Sequence, residues 1–335
     1  IAEWEALGVC NNSSKTPMTD LILVYSKDLA ADPNASMVVA EYEAIFASRA
    51  YNWTGCFGEV KNLSAKLSPE EDTYDADGYS KNKHWVKGPN TVFKSIMGAF
   101  YTGAFADEYK SFFLMEMDAV PIMANWLDQF EMEGMEMESQ NMAVRGSQYL
   151  GDKWDLFKHV MPTYLVEHFN GNAIYYRKHA WTRYLYDAFS TQGDDAMLEE
   201  LAFDVAFAMI TMSAMDGSVP VFAAAWANSN GSSATYNNDT MLVGHYANTL
   251  HKSFEFGKFI RHGSSKNLFD SLMSDKVTLG VAAYDKSTGH LMDTVATNHP
   301  FKKILMLTHY PTPNVTETIP APGDNVSLTT QEASS

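Results

Sequence analysis

The chain has 335 residues, 46% of them hydrophobic and 13% aromatic, which supplies a large buried core and argues against a disordered chain. With 24 Lys and Arg against 41 Asp and Glu, the formal charge of −17 argues against nucleic acid or an acidic membrane surface as a partner. An anionic substrate would need a local positive centre, which a metal ion supplies, and no apolar run approaches the roughly 20 residues that span a bilayer.

In chain order, Asp20 to Ser26 is predicted as a buried first strand, followed by a helix from about Pro33 to Ala50. Tyr51 to Asn62 holds a second strand region. Leu67 to Lys87 is polar and turn-rich. Gly88-Pro89 opens an amphipathic helix, roughly Asn90 to Phe105, that leads into a strand at 111–115. Trp126-Leu-Asp128 begins another helix, and the Met/Glu patch at 131–138 reads as a solvated loop with Met covering apolar surface. Short strands are expected at 142–147 and after Asn170-Gly171-Asn172, and helices at 180–189 and Asp194 to Ala214. Val219 to Ala225 is predicted as a strand, 228–240 as a polar loop, and 241–262 as a further strand and turn region. Strands alternating with helices predict an α/β fold, a mostly parallel sheet with helices on both faces. Its ligand site would lie off the strand carboxyl ends. After about Thr308 the Pro/Thr/Ser/Asn-rich sequence reads as a tail or linker, giving the division 1–307 and 308–335.

Asn-x-Ser/Thr occurs nine times, at Asn11, Asn12, Asn34, Asn52, Asn62, Asn230, Asn238, Asn314 and Asn325. With 20 Asn and 50 Ser plus Thr, chance gives about three. None lies between residues 65 and 229, where the apolar segments are densest, so the excess reads as glycan acceptors on exposed surface. That places the chain in the secretory pathway, Golgi lumen or extracellular space. Cys10 and Cys56 then read as one disulfide rather than two free thiols, and they lack the paired spacing of a zinc site. The chain begins at Ile1 without Met, which leaves room for a signal or membrane anchor upstream.

Four constellations carry candidate chemistry. In Phe113-Leu-Met-Glu116-Met-Asp118 a short apolar run ends in two carboxylates at i and i+2, which share a side of an extended chain. Such a pair suits Mg²⁺ or Mn²⁺, or else is a solvated strand end. His168-Phe-Asn170-Gly171-Asn172 presents two amides around a glycine, either toward a polyhydroxylated ligand or as a simple turn. His262 is either a third metal ligand or structural. Asp204, within an apolar helical stretch, is either a general base or a hydrogen-bonded buried acid. No phosphate loop, dinucleotide fingerprint, nucleophile elbow or zincin helix is present, against NTPase, oxidoreductase, esterase and zincin readings.

Taken together, Phe113-Leu-Met-Glu116-Met-Asp118-Ala-Val-Pro121, Trp126-Leu-Asp128, Arg145-Gly-Ser147 and His168-Phe-Asn-Gly-Asn-Ala-Ile-Tyr175 resemble the nucleotide-sugar-dependent glycosyltransferases of the GT-A fold. The order is similar to that in algal, protist and viral members. The resemblance spans roughly residues 20–265 and is strongest over 88–177. It implies one Rossmann-like GT-A domain that transfers a sugar from a nucleotide-diphosphate donor to a glycan or glycoprotein acceptor. It also implies Mn²⁺ or Mg²⁺ held by Glu116, Asp118 and His262. Glu116 departs from the usual Asp-x-Asp pattern. Asn170, Gly171, Asn172, Trp126, Asp128 and Ser147 would lie around donor or acceptor, and Asp204 would be the base of an inverting reaction. Two alternatives stand beside it. One is a catalytically inactive glycoprotein relative with a structural or carbohydrate-binding role. The other is a metal-dependent hydrolase, which would need a second metal or carboxylate pair that the sequence does not show.

Overall fold

The computed structural model describes residues 2–11, 16–74, 86–117, 119–148, 159–191, 200–245 and 258–262, together with four strands further on. By their contacts the residues form two compact units, Ile1–Gly263 and Ser264–Ser335. The second unit carries β10 (Leu279–Ala283), β11 (Lys303–Thr308), β12 (Ile319–Ala321) and β13 (Asp324–Glu332). Its strand order is β10-β11-β13-β12, parallel except for the last pair. The division falls at Gly263 rather than near 307, and the stretch expected as tail or linker holds β12 and β13.

The first unit is mixed α/β. Its central sheet is β3 (Ser111–Phe113), β6 (Ile174–Tyr176), β5 (Val144–Arg145) and β7 (Tyr236–Asn237), in that order. The β3–β6 and β6–β5 ladders are antiparallel, and only β5–β7 is parallel. Among the described residues the centre of this unit is therefore not the expected mostly parallel sheet. A parallel pair, β1 (Leu21–Tyr25) with β2 (Val60–Ser64), forms a separate ribbon. A three-stranded sheet has the order β4 (Val120–Pro121), β9 (Ile260–His262) and β8 (Val243–His245).

Alternation along the central strands sends side chains into two cores. Phe112 and Tyr175, cross-strand partners with rings 5.0 Å apart, enter one core with Phe93, Trp181 and Phe207. These last come from α3 (Lys87–Tyr101), α6 (Ala180–Thr191) and α7 (Phe203–Met215). Phe113, Ile174 and Tyr176 enter the other core. They meet α4 (Trp126–Ser139) and the aromatic group of Trp53, Phe57 and Trp126 behind α1 (Ala2–Leu7). A Cys10–Cys56 disulfide, with Cα atoms 5.8 Å apart, ties this N-terminal layer together. The remaining helices are α2 (Pro33–Ser48), α5 (Thr163–Val166) and α8 (Pro220–Asn228). Among the described residues no single helix is long and apolar enough to cross a membrane.

Two local expectations are corrected. Val219 to Ala225 is not a strand, because Pro220 sits at the first helical position and an alanine run follows it into α8. The 131–138 patch is not a loop but the body of α4, where Leu127, Phe130, Glu133 and Met137 recur at helical spacing on the buried face. Of the sequon asparagines in this unit, Asn11, Asn34, Asn52, Asn230 and Asn238 are exposed. Asn62 lies on β2 with Oδ1 buried and Nδ2 donating to Glu43 at 3.0 Å. Asn12 and Asn314 lie outside the described residues, and Asn325 is on β13.

Glu133 is 0% exposed and fully engaged. It accepts from Thr240 Oγ1 (2.6 Å), Met241 N (2.8 Å), Leu242 N (3.0 Å) and Gln129 Nε2 (2.7 Å). Arg145 Nε lies 3.3 Å away. Removing a buried charge's partner strands the other groups, so Glu133→Ala should cost about 3–5 kcal/mol in urea unfolding. A loss under ~1 kcal/mol would show the network to be dispensable.

His179 caps α6. Its Nδ1 accepts from Trp181 N (3.0 Å) while Nε2–H donates to Asn141 Oδ1 (3.1 Å), a pattern only the neutral ring can make. Burial lowers its pKa. A depressed folded pKa means the stabilisation is complete above the ordinary value of about 6.5 and is lost as pH falls through the lower folded value. The stability advantage of the native chain over His179→Gln should therefore be present at pH 7.5 and shrink by pH 5. A gap independent of pH would contradict this.

Candidate active site

The antiparallel pairing of β3 with β6 decides which residues meet. It sets the chain leaving β3, Leu114-Met115-Glu116, beside the chain entering β6, Asn170-Gly171-Asn172-Ala173. Leu114 N donates to Ala173 O at 3.1 Å, extending the ladder by one bond. One step further, Glu116 N donates to the side-chain oxygen of Asn172 at 2.7 Å. Asn172 Nδ2 returns a bond to Glu116 Oε2 at 2.8 Å and donates to Asn170 Oδ1, also at 2.8 Å.

The second sheet supplies the other half. Val120 pairs with Arg261 and Pro121 with Ile260, so the same register carried back one step sets Ala119 opposite His262. Ala119 N donates to Glu116 O at 2.9 Å, which ties Glu116 to that strand end. His262 Nε2 then lies 3.1 Å from Glu116 Oε2. Glu116 is half-exposed and His262 buried.

Asp204, in the first turn of α7, joins through the backbone. Its Oδ2 accepts from Gly171 N at 3.0 Å and its Oδ1 from Val205 N at 2.8 Å. Burial raises its pKa, and the negative charge of Glu116 adds to the rise. The positive potential of His168 and the two backbone N–H groups oppose it. His168 is itself buried, with Nδ1–H donating to Leu165 O at 2.9 Å. Gly171 is needed where it sits, since a Cβ there would lie 2.4 Å from the ring of Phe203, which is stacked on Phe93 at 3.8 Å. Ser147 O accepts from Asn170 N at 3.1 Å. Ser147 Oγ is buried and has no hydrogen-bond partner among the described residues.

The structure therefore gathers Glu116, His262, Asn170, Gly171, Asn172, Asp204 and Ser147. Asp118 lies outside the described residues. Trp126 and Asp128 have their contacts elsewhere. Trp126 packs on Trp4 (ring centroids 5.2 Å apart) in the second core, and Asp128 Oδ2 accepts from Asn11 N at 2.7 Å. Both stand on the first turn of α4, whose inner face belongs to the disulfide layer. The sequence motif contains His168 but assigns it no role. Its burial within electrostatic reach of Asp204 on α7 has no local sequence signal.

A carboxylate and an imidazole are both ligands for Mn²⁺-like ions. Bonds of about 2.1 Å at right angles put adjacent ligand atoms about 3 Å apart, close to the Glu116–His262 separation. These two residues fit a shared ion, although no group of three or more His, Cys, Asp or Glu suited to a metal occurs among the described residues. Compared with family models, curated proteins and solved structures, the chain matches none.

Proposed function

We propose that this chain is a metal-dependent glycosyltransferase of the GT-A type. It would transfer a sugar from a nucleotide-diphosphate donor to a glycan or glycoprotein acceptor in the secretory pathway. The observation that carries the reading is the meeting of Glu116 and His262 at 3.1 Å from strand ends far apart in sequence. The sequons, the Cys10–Cys56 disulfide and the resemblance over 88–177 support the compartment and the class.

Glu116, His262 and Asp118 would hold Mn²⁺ or Mg²⁺, which as a Lewis acid stabilises charge on a leaving diphosphate. In an inverting reaction the acceptor oxygen forms the new bond to the anomeric carbon while the bond from that carbon to the donor phosphate oxygen breaks. The acceptor hydroxyl proton passes to Asp204. Burial has raised the Asp204 pKa, which brings its basicity closer to the working pH. Its two backbone N–H bonds fix the direction of the carboxylate.

The test is hydrolysis of nucleotide sugars by the full chain with Mn²⁺. Glu116→Ala, Asp118→Ala and His262→Ala should each lower the rate on the order of 10²-fold. Asp204→Asn should lower transfer to an acceptor by about 10²- to 10⁴-fold while leaving Mn²⁺ binding intact. Full activity in Asp118→Ala would overturn the metal assignment. Donor binding without turnover would favour the inactive, carbohydrate-binding reading.

A further inference from the structure

Asn172 is expected from sequence to touch donor or acceptor, but it is 0% exposed. Its side chain has four hydrogen-bonding capacities worth counting. The carbonyl oxygen accepts from Glu116 N (2.7 Å), and the two amide hydrogens go to Glu116 Oε2 (2.8 Å) and Asn170 Oδ1 (2.8 Å). Only a second lone pair on Oδ1 is left for any ligand. The opposite amide orientation is excluded by its neighbours, since it would aim NH₂ at the Glu116 amide and an oxygen at two acceptors. Asn170 buttresses the arrangement, because its Oδ1 also accepts from Asn172 N at 3.0 Å.

We infer that Asn172 is the positioning residue for Glu116, gripping it by backbone and side chain at once and setting its carboxylate against His262. Asn170 holds Asn172 in turn. The grip takes one lone pair of Glu116 Oε2, the oxygen that also faces His262 Nε2, and leaves its other lone pair to share an ion with that ring. A long, half-exposed glutamate is otherwise a poor ligand, because several rotamers compete. The buried amide removes that freedom. This inference rests on reading Glu116 as an ion ligand, but the grip itself can be tested without metal.

Two substitutions in the full chain separate the halves of the grip. Asn172→Ala removes both. Asn172→Asp keeps an acceptor for the Glu116 amide but replaces the Nδ2 donor by an oxygen facing Glu116 Oε2. Amide exchange without metal should show the Glu116 N–H losing protection in Asn172→Ala and keeping it in Asn172→Asp. The Leu114 N–H, bonded to Ala173 O, should stay protected in both, which a general loosening of the sheet would not allow. Both variants should weaken Mn²⁺ binding, measured by calorimetry with the metal alone, by about 10- to 100-fold. Unchanged Glu116 exchange in Asn172→Ala overturns the grip. Undiminished Mn²⁺ affinity in both variants overturns its role in positioning. If the native chain binds no Mn²⁺, the metal reading and the positioning role fail together, while the exchange result still decides the grip.

Discussion

Antiparallel pairing of β3 with β6 is the constraint on which the site depends. It makes the end of one strand and the start of another neighbours, so Glu116 and the Asn170-Gly171-Asn172 turn meet without any long loop. The pairing is held by burial on both faces. Phe112 and Tyr175 go to one core, and Phe113, Ile174 and Tyr176 to the other. A slip of one residue would exchange those faces and carry Glu116 away from Asn172. The same packing that stabilises the sheet therefore sets the geometry of the acid.

His262 reaches the site by a different route, through Glu133. That buried carboxylate holds Thr240, Met241 and Leu242 just before β8, and β8 pairs in parallel with β9, which ends in His262. Arg145, on β5 of the central sheet, approaches Glu133 and also bonds Glu136 and Asp239. One charged cluster thus joins α4, the central sheet and the approach to the second sheet. Burying charge is costly unless every lone pair is used, and the dense satisfaction of Glu133 offsets that cost. The three-stranded sheet puts Val243 and Ile260 into the second core, and this polar anchor fixes the chain that leads into it.

Much of this was legible in the sequence because it is local. The first strand, the helix after Pro33, the strand before Glu116 and the Asn-Gly-Asn turn all follow from short-range pattern. The contacts that define the site are long-range, and sequence offers them no periodic signal. Glu133 lay in a Met/Glu run whose polarity suggests solvent, yet its i−3 and i+4 neighbours, Phe130 and Met137, mark a buried helical face. Asn172 was legible as a special position but not as a buried one, because a saturated amide and a ligand-binding amide have the same sequence. The resemblance places Trp126 near a ligand, whereas an aromatic flanked by Leu127 at a helix start is equally suited to a core. The direction of the β3–β6 pairing was not readable at all, since alternating strands and helices suggest parallel crossovers.

The proposed sugar-nucleotide site needs a divalent ion at Glu116 and His262. The most direct measurement is thermal denaturation of the full chain with UDP- and GDP-linked sugars, each with and without Mn²⁺. A ligand that binds only the folded chain raises the unfolding temperature. The unfolding temperature should rise for at least one nucleotide sugar in the presence of Mn²⁺ and not for the same compound without it. No rise with any donor, or an equal rise without the metal, would contradict it.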